Sequence, residues 1–271
     1  MNTSTLFTRG LTTVAAGLLG VVLSAQTATQ QKPKPFEPSV GQAGKDVVWV
    51  PTADTLVAKM LDMAKLTPQD YVIDLGSGDG RTVIAAAKRG ATAMGIEYNP
   101  DMVELSKKNA AAAGVAAKAT FVKADIYESD YSKATVLTLF LLPDINLKLR
   151  PTILDMKPGT RVVSNSFNMD DWEPDATANV EQECTSWCTA YLWIVPAKVE
   201  GTWTTPRGDL SLTQKFQTVS GTLGTVPISD GRLRGTEITF TAGTAKYVGQ
   251  VNGSSIQGTA SPGGSWTATK R

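Results

Sequence analysis

Between residues 52 and 196 the apolar positions alternate between a helical and a strand period. Over 52–66 Leu56, Met60 and Met63/Ala64 share one helical face, and Pro68 closes the segment. Residues 71–75 (YVIDL) form a short, nearly continuous apolar run, which predicts a buried strand. The glycine-rich turn 76–80 follows, then a helical stretch over 81–89 that ends at Gly90. Residues 93–97 predict a second strand. Asn99-Pro100 supplies a cap and a first-turn proline for a helix reaching Gly114. Residues 120–123 and 136–140 read as the third and fourth strands, and 161–164 as the next after a Lys157-Pro158-Gly159 turn. Strands and helices alternating through short connections predict an α/β domain with a mainly parallel sheet covered on both faces.

Beyond residue 200 the period changes. Twelve of the 24 glycines fall in 201–271, between short alternating runs such as Leu210-x-Leu212-x-Gln214-x-Phe216 and Ile238-x-Phe240. This predicts a small antiparallel β domain over 199–271, either a meander, a sandwich or a barrel, with a boundary near 197–200. Its aromatics Trp203, Phe216, Phe240, Tyr247 and Trp266 read as core, and Arg232 and Arg234 as solvated residues of an edge strand.

At the other end, an apolar stretch over 11–25 follows the single charge Arg9, and small residues at 24–28 offer a cleavage site. A stretch of 15 residues suits a signal-peptide core better than a span of roughly 20. Residues 1–28 therefore read as an export signal, with a transit peptide or an uncleaved anchor as alternatives, and 29–47 as a linker to a domain over 48–198.

The 26 Lys+Arg against 25 Asp+Glu leave a net charge of +1, which argues against a nucleic-acid coat. There is no histidine, so a Ser-His-Asp triad, an imidazole base and a histidine-bound metal are all excluded. The two cysteines, Cys184 and Cys188, are too few for a cysteine-rich zinc site. In one continuous strand their Cα atoms would stand about 13 Å apart, beyond bridging. A tight turn at 185–187 between the last two strands would instead let them form a disulfide.

The candidate chemistry gathers at the strand ends. Gly76, Gly78 and Gly80 let backbone approach a ligand, with Ser77 between them. Glu97 ends the second strand 23 residues after Asp74, placed to take both hydroxyls of a ribose. Asp125, at the end of the third strand, is placed to accept from an adenine amino group. The Gly-x-Gly-x-Gly spacing is not that of a pyrophosphate turn, and Asp74 and Asp79 would repel a pyrophosphate. The same carboxylates suit S-adenosylmethionine, which carries a sulfonium and an ammonium.

DLGSGDG at 74–80, GIEYNP at 95–100 and Ala124-Asp125 resemble the class I S-adenosylmethionine-dependent methyltransferases. WVPT at 49–52, VIDLGSGDGRTVIAAAKRG at 72–90, LFLLPDIN at 139–146 and LRPTILDMKPGTRVVSNSF at 149–167 resemble one branch more closely. That branch comprises the small protein-lysine methyltransferases that include the mitochondrial ATP synthase c-subunit enzyme and its bacterial relatives. The resemblance covers about 48–196. It implies a seven-stranded Rossmann-like sheet with the last strand antiparallel, a donor site formed by the glycine loop, Glu97 and Asp125 together with Thr52, and a protein lysine as acceptor.

Methyl transfer to such a nitrogen needs alignment and a dry pocket that favours the neutral amine, and no metal. The acceptor pocket is expected after the fourth strand, with Asp144 orienting the amine or taking its proton and with Asn146 and Tyr98 nearby; a helix cap is the plainer reading of Asp144. Asp170, Asp171 and Trp172 read as a solvated loop or a second rim. Because the donor is made in the cytoplasm, an export signal leaves three alternatives open. The chain acts outside with a separate donor supply; or it is membrane-anchored with a cytoplasmic catalytic domain; or it is an exported, non-catalytic protein that binds a nucleoside, or the envelope through its N-terminus or β domain.

Overall fold

The computed structural model describes residues 1–8, 10 and 36–271; the apolar run at 11–25 and the small residues at 24–28 lie outside the described residues. Residues 36–271 form one body.

Its first half begins with α1 (Asp54–Met63) and β1 (Tyr71–Leu75), followed by α2 (Arg81–Lys88), β2 (Thr92–Glu97) and α3 (Pro100–Ala112). Then come β3 (Ala119–Lys123), β4 (Val136–Leu139), α4 (Pro143–Leu154), β5 (Arg161–Asn165), β6 (Ala176–Asn179) and β7 (Thr189–Ile194). The strands form one sheet in the order β3-β2-β1-β4-β5-β7-β6. β1 to β5 run parallel, and β7 is antiparallel to both of its neighbours. This is the seven-stranded arrangement that the resemblance implies. β1 and β4 lie side by side at the centre and are buried almost throughout, as the apolar runs predict.

Local signals place most boundaries. Asn99 caps α3, its side chain accepting from Asp101 N at 2.9 Å ahead of Pro100. The start of α4 differs from expectation. The helix begins at Pro143, with Leu142 as an N-cap that offers no side-chain bond, and it continues through Pro151. Proline's fixed φ suits the first helical turn, so Pro143 sets the start and Asp144 sits inside the turn rather than capping it.

Trp172 is a second difference. It is fully buried, packed on Trp193 and Phe216 at 6.0 and 5.8 Å, and its carbonyl accepts from Trp193 Nε1 at 2.7 Å. Asp170 takes a positive φ, and Asp171 pairs with Arg150 at 2.7 Å and Lys215 at 3.1 Å. The two acids turn outward while the indole turns in, so the local polarity of 170–172 masks a core residue.

The C-terminal half is a closed barrel of eight antiparallel strands: β8 (Gly201–Thr205), β9 (Gly208–Lys215), β10 (Thr218–Leu223), β11 (Val226–Arg234), β12 (Glu237–Ala242), β13 (Ala245–Asn252), β14 (Ser255–Ser261) and β15 (Gly264–Lys270). Pairing of Thr269 with Thr204 and of Lys270 with Trp203 joins the last strand to the first. Alternation fills the interior with Trp203, Leu210, Ile238, Phe240, Ile256 and Trp266. Ala197 and Val199 belong to the same core, so the domain junction is packed rather than free.

Two predicted positions of this half change meaning. Closure removes the edge on which Arg232 was expected; its guanidinium instead pairs at 2.7 Å with Asp175, whose side chain is 2% exposed. Phe216 stacks on Trp172 of the sheet domain rather than lying within the barrel core.

Candidate functional site

A cleft of about 230 Å³ opens at the carboxyl ends of β1, β2 and β4, where the strand order reverses. It is lined by the glycine turn, by the residues following β2, β3 and β4, and by the segment 42–52.

The glycine turn takes its shape from positive φ at Gly76, Gly78 and Gly80. Gly80 precedes α2 in a left-handed conformation, and a Cβ there would meet Phe121 and Ser106 within 2.9 Å. It therefore serves the packing of α2 and does not itself line the cleft. Gly95 on β2 acts in the same way from below, since a Cβ would come within 2.4 Å of Ser77 Oγ. The turn is also tied from outside. Ser106 Oγ donates to Gly78 O at 2.8 Å, and Asn109 Nδ2 donates to Asp79 O at 2.9 Å.

All four expected carboxylates line the cleft. Glu97 accepts from Gly78 N at 3.0 Å and from Asn99 N at 2.9 Å, which fixes its carboxylate at the end of β2. Asp79 is gripped by Arg81 Nε at 3.1 Å and Nη2 at 2.6 Å. Asp125 accepts from Tyr127 N at 2.9 Å and is paired with Lys45 Nζ. The Lys45 contact, with the Tyr127 amide, holds the Asp125 carboxyl below its ordinary range. Asp74 lies deepest, accepting from Thr138 Oγ1 at 2.5 Å. Burial first, and then the negative charges of Glu97 and Asp79, push its pKa from 3.8 up to about 7. With Asp46, the lining carries five acids against Lys45 and Arg81. The predicted negative field is present, although Asp46, Asp79 and Asp125 are already paired with cations.

Thr52 is buried at the cleft wall. Its carbonyl accepts from Arg81 Nη1 at 2.8 Å, and its Oγ1 accepts from Asn165 Nδ2 at 3.2 Å.

Residues 42–47, part of the segment read as a linker, line this cleft instead. Gly41 N donates to Trp49 O at 2.8 Å, Trp49 N to Gln42 O at 2.9 Å, and Gly44 N to Val47 O at 2.9 Å. The Trp49 indole presses so closely on Gly78 that a Cβ there would lie 2.7 Å from Nε1. Lys45 stands over the Tyr98 ring at 5.0 Å as well as on Asp125. Gly41, Gly44 and Lys45 conceal this segment from pattern reading, because backbone hydrogen bonds rather than a hydrophobic period order it.

The expected catalytic group is dispersed. Tyr98 lines the cleft, half-exposed. Asn146 is 0% exposed, with Nδ2 donating to Phe167 O at 3.3 Å and Asn168 O at 3.2 Å. It braces the corner after β5 and does not face the cleft. Asp144 stands exposed on the first turn of α4 and also lies outside the lining. What this region does send to the cleft is Leu139 from β4, Ile145 from α4, and Phe140, Leu141 and Leu142 from the connection between them. Phe167 and Trp187 join them, and neither was singled out as a site residue from sequence.

Cys184 and Cys188 are joined in a disulfide, with Cα atoms 5.8 Å apart, at the tip of the connection between β6 and β7. The turn at 185–187 makes this possible, as the spacing required.

The lining fits a cationic nucleoside by the chemistry of its acceptors, since Asp74, Asp79, Glu97 and Asp125 all reach the cleft. Glu97 and Asp125 then present acceptors on the β2–β3 side, with Asp74 and Asp79 nearer the glycine turn.

Comparison with known proteins places this architecture. The profile of the ANTKMT methyltransferase domain matches residues 74–176. A protein-lysine N-methyltransferase of Saccharolobus islandicus is 40% identical over 152 residues, covering 55% of this chain and 94% of that protein. The lysine N-methyltransferase of the ATP synthase c-subunit from Mus musculus is 37% identical over 107 residues; the match spans 39% of this chain and 43% of the mouse protein, under half its length. A solved structure described as an RNA methyltransferase from Salinibacter ruber in complex with S-adenosyl-L-homocysteine superposes with a TM-score of 0.52 at 45% identity. It covers 55% of this chain and 96% of its own.

Proposed function

We propose that this chain, which belongs to the S-adenosylmethionine-dependent methyltransferase family of the Saccharolobus islandicus protein-lysine N-methyltransferase, transfers a methyl group to a lysine nitrogen of a protein. The observation that carries the reading is the cleft at the strand-order reversal, whose carboxylates Asp74, Asp79, Glu97 and Asp125 converge around one glycine turn.

When bound, S-adenosylmethionine supplies a methyl group on a cationic sulfur leaving group. Glu97, fixed by the amides of Gly78 and Asn99, keeps lone pairs for two sugar hydroxyls. Asp125 takes the base once Lys45 yields its carboxylate. Asp74 in its ionised form balances the positive charge of the donor across a dry wall. The acceptor side is apolar, and an apolar surrounding lowers an ammonium pKa and so favours the nucleophilic neutral amine. Alignment in a water-poor cleft is what the transfer demands, and no metal is required. The open cleft and the shared family weigh against a non-catalytic nucleoside- or envelope-binding protein. The Cys184–Cys188 bridge favours an oxidising compartment, consistent with export by residues 1–28.

The test is incubation of the purified chain with S-adenosylmethionine and, separately, lysine-rich proteins and RNA, with products weighed by mass spectrometry. Methyl increments on lysine are expected. Methylation confined to RNA would contradict the acceptor assignment.

A further inference from the structure

The cleft has two chemically distinct ends. On the β2–β3 side stand Glu97 and Asp125; on the β4–β5 side stand three aromatic rings. Phe140, just past β4, stacks on Phe167, just past β5, at 6.0 Å and 20°. Trp187 meets Phe140 edge-on at 6.2 Å and 61°. Trp187 keeps 46% of its surface exposed, which is unusual for so large an apolar side chain with other rings beside it. Its backbone lies at φ 54°, a left-handed region that a bulky residue adopts only where the surroundings enforce it. Trp187 lies inside the short loop that the bridge from Cys184 to Cys188 closes, one residue before Cys188.

We infer that Phe140, Phe167 and Trp187 form the acceptor subsite, a wall for the alkyl stem of the incoming lysine, and that the Cys184–Cys188 bridge is the positioning element that holds Trp187 in it. The inference rests on the lysine reading above and adds to it the place where the acceptor enters. A lysine stem is apolar while its head is cationic, so rings that pack the stem also attract the head on approach. The donor needs the carboxylates, which leaves the aromatic end for the nucleophile. A tryptophan presented from the tip of a loop, with no anchor in the core, depends on covalent closure of that loop for its position.

The experiment compares wild type with Trp187→Ala, Trp187→Phe and a Cys184→Ser/Cys188→Ser double variant. Three quantities are read: KM and kcat on a lysine peptide that the wild type methylates, calorimetric affinity of the S-adenosylhomocysteine-loaded protein for that peptide, and affinity for S-adenosylhomocysteine alone. Trp187→Ala is expected to weaken peptide binding and raise KM by about tenfold or more, with kcat and S-adenosylhomocysteine affinity within about threefold. Trp187→Phe restores most of the loss, because a ring is what the wall needs. The double serine variant falls between, and reductant brings the wild type to the same intermediate value. Unchanged peptide affinity and KM in Trp187→Ala would overturn the inference alone, since wild-type turnover would still stand. A parallel fall in S-adenosylhomocysteine affinity would overturn it too, by assigning Trp187 to the donor. Wild type that binds S-adenosylhomocysteine but methylates no lysine would overturn the proposed activity and the lysine subsite with it.

Discussion

The sheet and the barrel treat their strand ends in opposite ways. At the reversal of strand order the sheet leaves space, and it fills the rim of that space with carboxylates on short, glycine-shaped connections. The barrel brings its first and last strands together and packs Trp203, Phe240, Tyr247 and Trp266 into the interior, with Phe240 and Tyr247 stacked at 4.7 Å. Both halves bury aromatic cores, so burial does not distinguish them. What does is charge at a place the backbone keeps open. The barrel contributes its anchorage instead: Phe216 on Trp172, Gln217 Nε2 donating to Glu173 O at 2.7 Å, and Arg232 on Asp175.

That contrast can be broken from either side. Trp203→Ala removes a fully buried indole and should cost about 3–5 kcal/mol in denaturant unfolding, while affinity for S-adenosylhomocysteine stays the same. A matching loss of affinity would show that the barrel shapes the cleft. Glu97→Ala should do the reverse, lowering S-adenosylhomocysteine affinity about 100-fold in calorimetry, because charged hydrogen bonds of roughly 1.5–3 kcal/mol each are lost. Its unfolding midpoint should shift far less.

Asp74 gives a pH signature. Its folded pKa of about 7 lies above the ordinary 3.8, so between these values the folded protein holds more protons than the unfolded chain. Stability of the free protein from this group is therefore present below pH 4 and lost as pH rises to about 7, by at most about 4 kcal/mol. Affinity for a cationic donor should run the other way, rising up to about tenfold from pH 6 to pH 8. Asp74→Asn should flatten that rise in a binding titration. The smallest effect belongs to Lys45. Its contact with Asp125 is partly solvent-exposed, and Lys45→Met should change S-adenosylmethionine affinity by only about threefold. A complete loss would make the 42–52 segment a true component of the donor site.

Reading from sequence succeeded where determinants are local. β1 coincides with its apolar run, α3 begins at its Asn-Pro cap, and the cysteine spacing required the turn that the disulfide closes. Where contacts are long-range it left alternatives open, as with barrel, sandwich and meander, or failed, as with Trp172. Barrel closure depends on Thr204 meeting Thr269 across the whole domain, and the burial of Trp172 depends on Phe216 and Trp193. The cleft carboxylates were legible because each lies near the end of a strand or in the turn beside one. The apolar end was not. Asp144 and Asn146 carry the polar chemistry of their segment, yet Pro143 starts α4 early enough to leave the first in solvent and bury the second. Phe140, Phe167 and Trp187, the rings on the cleft's β4–β5 side, come from three separate connections.

The most direct test of the central claim is calorimetric titration of the full chain with S-adenosylhomocysteine, repeated with Glu97→Ala. Saturable one-to-one binding that collapses in the variant is the predicted result. Absence of binding in the wild type, or equal binding by both proteins, would contradict the assignment of this cleft to the methyl donor.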